Sequence, residues 1–360
     1  MEIEKSELIK RFSLLERAIP GRPTIPCTEG ILVKDGRMCT NDLQNAISIL
    51  APEAALESFI LPKKAIAMVK NLPDGMVQIT PKGDDALTIK AGNIRTSIKT
   101  MSIDGFPENF TLSEATEATI DFDDLVEMLS SVVYATATSE ARPIHTGVLL
   151  DSDGTDLNVV ACDGFRCAWA HTEYQETFKM VIPKPTVKLL LSIKQAGKLK
   201  ISMQGEKAVF EIGDCKIYAR LLSGSFLDYR RVFPSRTKSI GVDRDKLLGA
   251  MNRIMICSDD THKGKVELDG SNTSLQVKCT SSSADYIEEL EVQDKFPADL
   301  RIMFNSAYVV DALKSYDCSV IDCFFGDKST EPLIVDDGAL KSLILPVRFA
   351  EGTKGAEKHE

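Results

Sequence analysis

The chain has 360 residues, of which 43% are hydrophobic and 27% charged, so it can pack two or three domains and is not disordered. Its 43 lysines and arginines face 53 aspartates and glutamates, and the net charge of -10 excludes a polycation that would coat nucleic acid or an acidic membrane. Nine scattered cysteines without repeated C-x-x-C pairs indicate reduced thiols in a cytosol. We expect neither a signal peptide nor a membrane span.

A pattern of helices and strands recurs along the chain. Amphipathic helices are predicted to begin after N-caps at Ser6, Asp121 and Asp243, and each is followed by apolar strands with turn residues between them. The buried faces of these helices are predicted to consist of Leu8, Phe12, Leu15 and Ile19, of Leu125, Met128, Leu129 and Val132, and of Leu247, Leu248, Met251 and Ile254. A second helix is predicted in each segment, at 62–72, 183–196 and 305–315. More strands close the segments, at 87–101, 208–222 and 333–349. The second helices therefore start at intervals of about 120 residues.

An interval of about 120 residues matches the length of a whole domain and is too long for one repeat of a solenoid protein. We predict an α+β fold made of three tandem copies of one domain, at 1–116, 117–237 and 238–349, in which helices cover one face of each antiparallel sheet. Each copy is predicted to have two similar halves. Residues 350–360 carry no core-forming side chains and are predicted to be a flexible tail. Three unrelated domains with equally spaced helices are the alternative.

One stretch, CKIYARLLSGSFLDYRRVFP at 215–234, is too apolar for a simple linker. It begins as a strand, breaks at Ser223–Gly224–Ser225, and continues with aromatic and aliphatic side chains around Arg230 and Arg231. Arginines beside aromatic residues favour a surface that receives an apolar peptide. A strand that only leads from one domain to the next is the alternative.

Few patterns favour an enzyme or a metal site. Two sets faintly resemble metal-ligand spacing without supplying four ligands: Cys162, Cys167 and His171, and Cys318 with Cys323. The chain lacks the G-x-S-x-G, H-E-x-x-H and Rossmann patterns. His145 with Glu140 and Asp163 is conceivable as an acid–base set, but a role in a peptide groove is the simpler interpretation. We therefore predict no catalytic residue, no metal and no cofactor.

Six segments, in this order, are similar to one known family: GRPTIP at 21–26, ARPIHTG at 141–147, ACDGFR at 161–166, SFLDYRRVFP at 225–234, FNSAYVVDAL at 304–313 and LILPVRF at 343–349. Over nearly its whole length the chain resembles the bacterial DNA polymerase III beta subunit, the replicative sliding clamp. The resemblance implies DNA-clamp domains with antiparallel sheets outside and paired helices lining the inner face. A head-to-tail homodimer of such chains would form a closed ring.

The resemblance also implies the function. A ring around duplex DNA would tether the replicative DNA polymerase and other replication and repair proteins, and so confer processivity without catalysis. Its implied partners are double-stranded DNA of any sequence, the DNA polymerase, other clamp-binding-motif proteins, and an ATP-dependent clamp loader, because the chain has no G-x-x-x-x-G-K-[ST] loop of its own. We expect it in the cytoplasm, associated with the nucleoid. A protein-binding scaffold that does not encircle DNA is the alternative.

Cations on the helices that would line such a ring are predicted to face the DNA backbone. Sparse phosphate contacts give a weak, salt-sensitive attraction that permits sliding. For any single lysine, a solvated helix face is the alternative. The candidates are Lys10, Arg11, Arg22, Lys63, Lys64, Lys188, Lys194, Lys198, Arg244, Lys246 and Arg253.

The family resemblance places a groove for a glutamine- and leucine-rich peptide motif between the second and third domains. Apolar side chains there would bury the partner's leucine and phenylalanine, and arginines would orient its backbone. The residues carried over are His145, Gly164, Phe165, Arg166, Cys167, Leu227, Arg231, Val232, Asn305, Tyr308, Leu345, Pro346, Val347, Arg348 and Phe349.

Four of these positions differ from the usual family residues. Phe165 replaces the usual histidine, and Leu227 replaces the usual proline. His145 replaces an apolar residue, and Phe349 replaces a leucine. The pocket would remain apolar but change its shape, which leaves the preferred motif open. At the seam of the ring, the resemblance implies that Phe106 and Ile256 are buried between two chains.

Overall fold

A computed structural model of the chain describes residues 1–83, 85–108, 112–139, 141–234, 239–258, 264–296, 299–326 and 328–348. Within these residues the predicted repeat is confirmed, because each third of the chain contributes eight strands and two longer helices. The first third contains β1 Glu2–Glu4, α1 Lys5–Leu15, β2 Gly30–Lys34, β3 Arg37–Asn41, β4 Asn45–Leu50, β5 Ser58–Pro62, α2 Lys63–Lys70, β6 Met76–Pro81, β7 Ala86–Ala91 and β8 Ile94–Lys99.

The remaining two thirds follow the same order. The second contains β9 Thr116–Asp121, α3 Phe122–Val132, β10 Gly147–Asp153, β11 Asp156–Cys162, β12 Arg166–Glu173, β13 Thr177–Pro183, α4 Lys184–Leu190, β14 Lys198–Gln204, β15 Lys207–Ile212 and β16 Cys215–Arg220. After the helical turn α5 Tyr229–Val232, the third contains β17 Ile240–Asp243, α6 Arg244–Cys257, β18 Lys265–Ser271, β19 Ser274–Thr280, β20 Asp285–Glu291, β21 Leu300–Asn305, α7 Ser306–Leu313, β22 Val320–Phe324, β23 Leu333–Asp336 and β24 Leu340–Ile344.

The chain divides into two compact units, and the division runs through the middle repeat. The first unit comprises residues 1–126 and 182–223. It holds a four-stranded sheet in the order β1-β6-β7-β8 and an eight-stranded sheet in the order β5-β2-β3-β4-β16-β15-β14-β9. Within the larger sheet, β4 pairs with β16 so that Ile47 lies opposite Ile217. Four strands of the first repeat are thus joined to four strands of the second.

The second unit comprises residues 127–181 and 224–360, of which the structure describes the ranges given above. It holds an eight-stranded sheet in the order β13-β10-β11-β12-β24-β23-β22-β17 and a four-stranded sheet in the order β20-β19-β18-β21. Here β12 pairs with β24, which places Cys167 opposite Leu343. The middle repeat is thus divided between two sheets. Its strands β9 and β14–β16 extend a sheet of the first repeat, and its strands β10–β13 extend a sheet of the third.

The helices pack on these sheets through the predicted faces. Leu8, Phe12 and Leu15 of α1 are buried, as are Leu125 and Leu129 of α3. An amphipathic helix buries the apolar side chains that recur every three or four residues, which explains why the pattern was predictive. No described helix is long and apolar enough to span a membrane.

Helix starts and ends were predicted with mixed success. The Asp243 cap is confirmed, because its Oδ1 accepts a hydrogen bond from the Lys246 backbone N–H at 2.9 Å. The Ser6 cap is wrong: β1 runs directly into α1, Ser6 lies in the first turn, and the backbone N–H of Lys5 donates to the Gly75 carbonyl at 3.0 Å. The residue before β6 thus satisfies one of the free donors at the start of the helix. Helix α4 ends at Leu190, six residues before the predicted end.

The predicted domain boundaries stay predictions. The one near 237 and the tail at 350–360 fall on residues outside the described ranges.

Candidate functional site

A tight turn at 163–166 joins β11 to β12 and forms the centre of the site. The carboxylate Oδ1 of Asp163 accepts hydrogen bonds from the backbone N–H groups of Phe165 at 2.9 Å and Arg166 at 3.0 Å. Gly164 has a φ of +93°, in the left-handed region where a residue with a Cβ is strained. The turn presents the Phe165 ring to solvent, and this side chain is 61% exposed.

The side chain of Arg166 is fixed from three directions. Its Nε donates to Asp163 Oδ2 at 3.0 Å, and one terminal nitrogen donates to Asp311 Oδ2 at 2.7 Å. The other terminal nitrogen donates to the Tyr134 carbonyl at 2.9 Å. The guanidinium also lies 4.4 Å from the centre of the Tyr308 ring. Because its side chain is held by these charge-assisted hydrogen bonds, Arg166 stabilises the structure of the site rather than offering hydrogen bonds to a partner.

These contacts outweigh the effect of burial on the charge of Arg166. Burial alone lowers its pKa, but the hydrogen bond to Asp311 and the charge of Asp163 raise the pKa above the usual value. The guanidinium is therefore permanently charged and paired.

A cavity of about 450 Å³ lies beside this turn, within the second unit. Eight residues predicted for the groove line it: His145, Gly164, Phe165, Arg166, Cys167, Leu227, Val232 and Leu345. Among them, three large apolar side chains are partly exposed, at 61% for Phe165, 37% for Leu227 and 40% for Leu345. Their exposure leaves an apolar surface that a partner's side chains can cover.

Seven further lining residues were not predicted: Ala137, Ser139, Ala141, Arg142, Cys162, Asp163 and Leu343. Each lies within or beside a segment that carried the family resemblance. Since the hairpin pairs Cys162 with Cys167, extending the predicted wall across the strand pair would have found Cys162.

The turn at 163–166 forms one wall of the cavity, and the segment 226–232 forms a second wall. Tyr229 anchors it, because this buried ring packs edge-on against Trp169 at 5.0 Å between centroids and its hydroxyl donates to Asp151 at 3.2 Å. Leu227 and Val232 point to the cavity from either side of this anchor. The side chain of Arg231 is 88% exposed and pairs with Asp228 at 3.0 Å, and it does not line the cavity.

His145 closes one end of the cavity as a neutral group. It lies in a short 3-10 turn over Pro143–Thr146, with its ring edge-on to Phe226 at 5.1 Å between centroids. Burial and then the charge of Arg142 lower its pKa below the usual value. Its buried Nδ1 has no hydrogen-bond partner among the described residues. The imidazole therefore contributes an apolar face at neutral pH.

The remaining predicted groove residues surround the cavity without lining it. Tyr308 of α7 stacks on Phe165 with centroids 6.5 Å apart, and Asn305 is the N-cap of α7, accepting from the Ala307 N–H at 3.0 Å. In the last described segment, the backbone N–H of Leu345 donates to the Phe165 carbonyl at 2.9 Å and that of Val347 to Met303 at 2.7 Å. Pro346 and Arg348 continue this segment, and Phe349 lies outside the described residues.

The predicted DNA-facing cations fall into two groups. Seven have a partner in the chain: Lys10 with Glu7, Arg11 with Glu53, Lys63 with the Pro20 carbonyl, Lys198 with Asp121, Arg244 with Asp245, Lys246 with Asp243 and Arg253 with Glu288. Four are exposed and form no ion pair within the described ranges: Arg22, Lys64, Lys188 and Lys194. The second group can meet a phosphate without breaking an existing contact.

The two predicted seam residues have opposite environments. Phe106 is 8% exposed and packs in its own repeat against Cys27, Leu32 and Ile60. Ile256, near the end of α6, is 83% exposed. Strand β20, which carries Asp285, Glu288, Glu289 and Glu291, lies at the edge of its four-stranded sheet, and its Glu288 is bound by Arg253. The role of both seam residues stays a prediction.

Comparisons with known proteins agree along the chain. Three family models match in tandem: the N-terminal domain of the DNA polymerase III beta subunit at 1–111, its central domain at 119–228 and its C-terminal domain at 230–348. The beta sliding clamp of Vibrio cholerae is 26% identical and the match covers 96% of this chain and 99% of that protein. That of Staphylococcus epidermidis is 25% identical, with 96% and 98% covered.

Solved structures show the same fold. The beta chain of DNA polymerase III from Streptococcus pneumoniae superimposes with a TM-score of 0.90 at 22% identity, over 97% of this chain and 99% of that chain. The beta subunit from Thermotoga maritima gives a TM-score of 0.86 at 26% identity, with 97% and 99% covered. A sliding clamp from Pseudomonas aeruginosa, with a TM-score of 0.89 at 23% identity and 97% and 99% covered, was solved bound to griselimycin.

Three tandem clamp domains define a DNA sliding clamp, a class of non-catalytic processivity factors. The chain belongs to the family of bacterial DNA polymerase III beta subunits, the beta sliding clamps. DNA and the DNA polymerase are the partners that this family implies. The alternative, a scaffold that does not encircle DNA, finds no support in these relatives.

Proposed function

We propose that the cavity in the second unit is the docking site for the DNA polymerase and for other proteins that carry a short clamp-binding motif. The observation that carries this proposal is a cavity of about 450 Å³ with Phe165, Leu227 and Leu345 partly exposed in its walls. Covering one leucine-sized side chain contributes about 1.5–3 kcal/mol, so three such contacts contribute about 4.5–9 kcal/mol before the cost of association is subtracted.

The polar groups around the cavity favour an extended peptide. Arg231 is exposed beside the cavity and can hold a partner's carboxylate or carbonyl groups, whereas Arg166 is already satisfied by its own neighbours. Apolar anchors would thus supply the affinity, and a polar rim the orientation. Since Phe165 is larger than the histidine usual at this position, the preferred motif should differ in the residue that meets it.

A matched pair of charge insertions tests the cavity. Binding of a fluorescein-labelled clamp-binding peptide is followed by anisotropy for the whole chain and two variants. Leu345→Asp places a carboxylate in the wall of the cavity, and we expect the Kd to rise at least about 10-fold, since an unpaired charge would be buried by the peptide. Leu56→Asp makes the same change at a fully exposed position that does not line the cavity, and its Kd should be unchanged. Equal effects of the two substitutions would refute the docking site.

The action on DNA follows from the same family membership. We propose that two copies of the chain close head to tail into a ring, and that Arg22, Lys64, Lys188 and Lys194 meet the phosphate backbone of the enclosed duplex. An ATP-dependent loader would open the ring, because the chain carries no phosphate-binding loop. The place of action would be the bacterial cytoplasm, on the nucleoid.

Topological retention distinguishes a ring from a scaffold. After loading by a bacterial clamp loader with ATP onto nicked circular DNA, the labelled protein should coelute with the DNA in gel filtration. Linearising the circle should release it within the time of the column, because phosphate contacts alone are weak and salt-sensitive. Retention on linear DNA with free ends would contradict the ring.

A further inference from the structure

Two cysteines lie side by side in the wall of the cavity. Cys162 ends β11 and is opposite Cys167 in β12, and both line the cavity. They are 5% and 1% exposed, and the two thiol groups are hydrogen-bonded to each other. Among the described strand pairs, this is the one place where two cysteines face each other.

The hairpin gives this pair a spacing that suits a disulfide. The backbone N–H of Asp163 donates to the Arg166 carbonyl at 3.2 Å, so these two residues form a hydrogen-bonded pair next to the turn. Cys162 and Cys167 occupy the next pair, which is a non-hydrogen-bonded one, with Cα atoms about 4.5 Å apart. Disulfides span Cα distances of about 4.4–6.8 Å, so the bond can form by rotation of the side chains without a shift of either strand.

We propose that Cys162 and Cys167 are a reversible oxidation site that forms a disulfide when the cavity is empty and is protected when a partner peptide fills it. The protection rests on the proposed function of the cavity, whereas the disulfide does not. Because both residues are otherwise buried, a small oxidant reaches them through the cavity, and an occupant closes that route.

The two thiols differ in reactivity. The hydrogen bond from Cys167 lowers the pKa of Cys162, whereas the same hydrogen bond, together with burial, raises the pKa of Cys167. The thiolate is the reactive form, so Cys162 attacks first.

With hydrogen peroxide as the oxidant, the reaction balances in two steps. The Cys162 sulfur bonds to one peroxide oxygen, the O–O bond breaks, and the departing hydroxide takes up the thiol proton as water, which leaves a sulfenic acid. The Cys167 sulfur then attacks the Cys162 sulfur, the S–O bond breaks, and a second water leaves with the Cys167 proton. Two thiols are oxidised and one peroxide is reduced to two waters. A dithiol reductant converts the disulfide back to two thiols by thiol–disulfide exchange.

Trypsin provides a direct assay, because it cuts after Arg166, between the two cysteines. The whole chain is treated with peroxide, its remaining thiols are alkylated, and it is digested without reductant for mass spectrometry. In the reduced protein Cys167 is recovered in the peptide 167–179. We expect peroxide to link this peptide to the fragment that ends at Arg166, and dithiothreitol to release it.

Cys215 is the matched internal control. It is 6% exposed, burial raises its pKa to about 12, and it is recovered in the peptide 208–216. It should stay alkylatable at the dose that links Cys162 to Cys167. Recovery of Cys162 and Cys167 as alkylated thiols, or equal oxidation of Cys215, would overturn the proposal. In Cys167→Ser, peroxide should leave Cys162 as an unlinked sulfenic acid, detected with a dimedone probe.

A second arm tests protection by the occupant. With a clamp-binding peptide at 100 times its Kd, the rate of disulfide formation should fall about 100-fold, in proportion to the fraction of empty cavities. If anisotropy shows that the peptide binds and yet the rate is unchanged, the protection is wrong. If the peptide does not bind at all, the docking proposal fails, and the disulfide result stands on its own.

Discussion

The two walls of the cavity each carry a predicted arginine, and the two arginines have opposite surroundings. Arg166, in the turn at 163–166, has a side chain that is 11% exposed and bonds to two carboxylates and a carbonyl. Arg231, in the segment 226–232, has a side chain that is 88% exposed with an ion pair to Asp228. Burial, not residue type, therefore decides which arginine builds the wall and which one is exposed to a partner.

The largest expected effect concerns the stability that Arg166 provides. Arg166→Ala should lower the free energy of unfolding by about 3 kcal/mol, because it leaves the carboxylate of Asp163, which is mostly buried, without its positively charged partner. Urea unfolding followed by the fluorescence of Trp169 measures this change. Arg231→Ala is the matched control and should change stability by less than about 0.5 kcal/mol, as expected of an exposed pair. Similar losses of unfolding free energy in both variants would contradict the different roles assigned to Arg166 and Arg231.

A second effect concerns the ring that supports Phe165. Tyr308→Ala removes both the stack on Phe165 and the face beneath Arg166, so we expect the Kd for a clamp-binding peptide to rise about 10-fold or more. Tyr308→Phe keeps the ring and should bind nearly as the wild type does. Tyr174→Ala removes a ring that packs on Phe178 outside the cavity lining and serves as the control in the anisotropy titration. A loss of affinity in Tyr308→Phe equal to that in Tyr308→Ala would argue against the stacking role.

A smaller effect is expected from Arg231 on binding. Arg231→Ala should weaken the peptide about 3-fold at low salt, and the difference should shrink at high salt, because an exposed charge is screened. Arg231→Lys, which retains the charge, should recover most of the affinity. An effect of Arg231→Ala that does not depend on salt would point to lost packing instead of lost charge.

The smallest effect is a pH dependence through His145. Since its pKa is lowered in the folded state, its contribution to stability is fully present above the unfolded value of about 6.5 and is lost as the pH falls toward the lower folded value. The unfolding free energy of the wild type should therefore fall more between pH 7.5 and pH 5 than that of His145→Gln. Parallel curves for the two proteins would show that His145 titrates normally.

Much of the architecture could be predicted, because helices bury side chains with a regular period. Leu8 and Phe12 were placed on the buried face of α1 by spacing alone, and the repeat of helices fixed three similar segments. The start of α1 was misplaced because the cap rule considers only local side chains. The backbone N–H of Lys5 is instead satisfied by Gly75, a long-range partner that no local pattern contains.

The sequence led to residues that line one cavity, but not to the contacts that each of them makes. Eight residues predicted from the family resemblance line one cavity. The resemblance did not predict that Arg166 is buried and hydrogen-bonded whereas Arg231 is exposed. This difference depends on Asp311 and Tyr134, which are distant from both arginines in sequence. It also did not reveal that Arg253, predicted to face DNA, is held by Glu288. Ion pairing across elements is a tertiary property, and it decides which cations remain available.

The pairing of β4 with β16 has a consequence for the newly made protein. Asn45 of β4 is opposite Ala219 of β16, so about 170 residues must be added before this edge is covered. At about 5–20 residues per second on a ribosome, β4 would remain an open edge for roughly 10–30 s. An uncovered strand edge is a template for pairing with another nascent chain. Since the strand Asn45–Leu50 carries no charged side chain that would block such pairing, the growing polypeptide depends on chaperones during this interval to avoid joining its neighbours on a polysome.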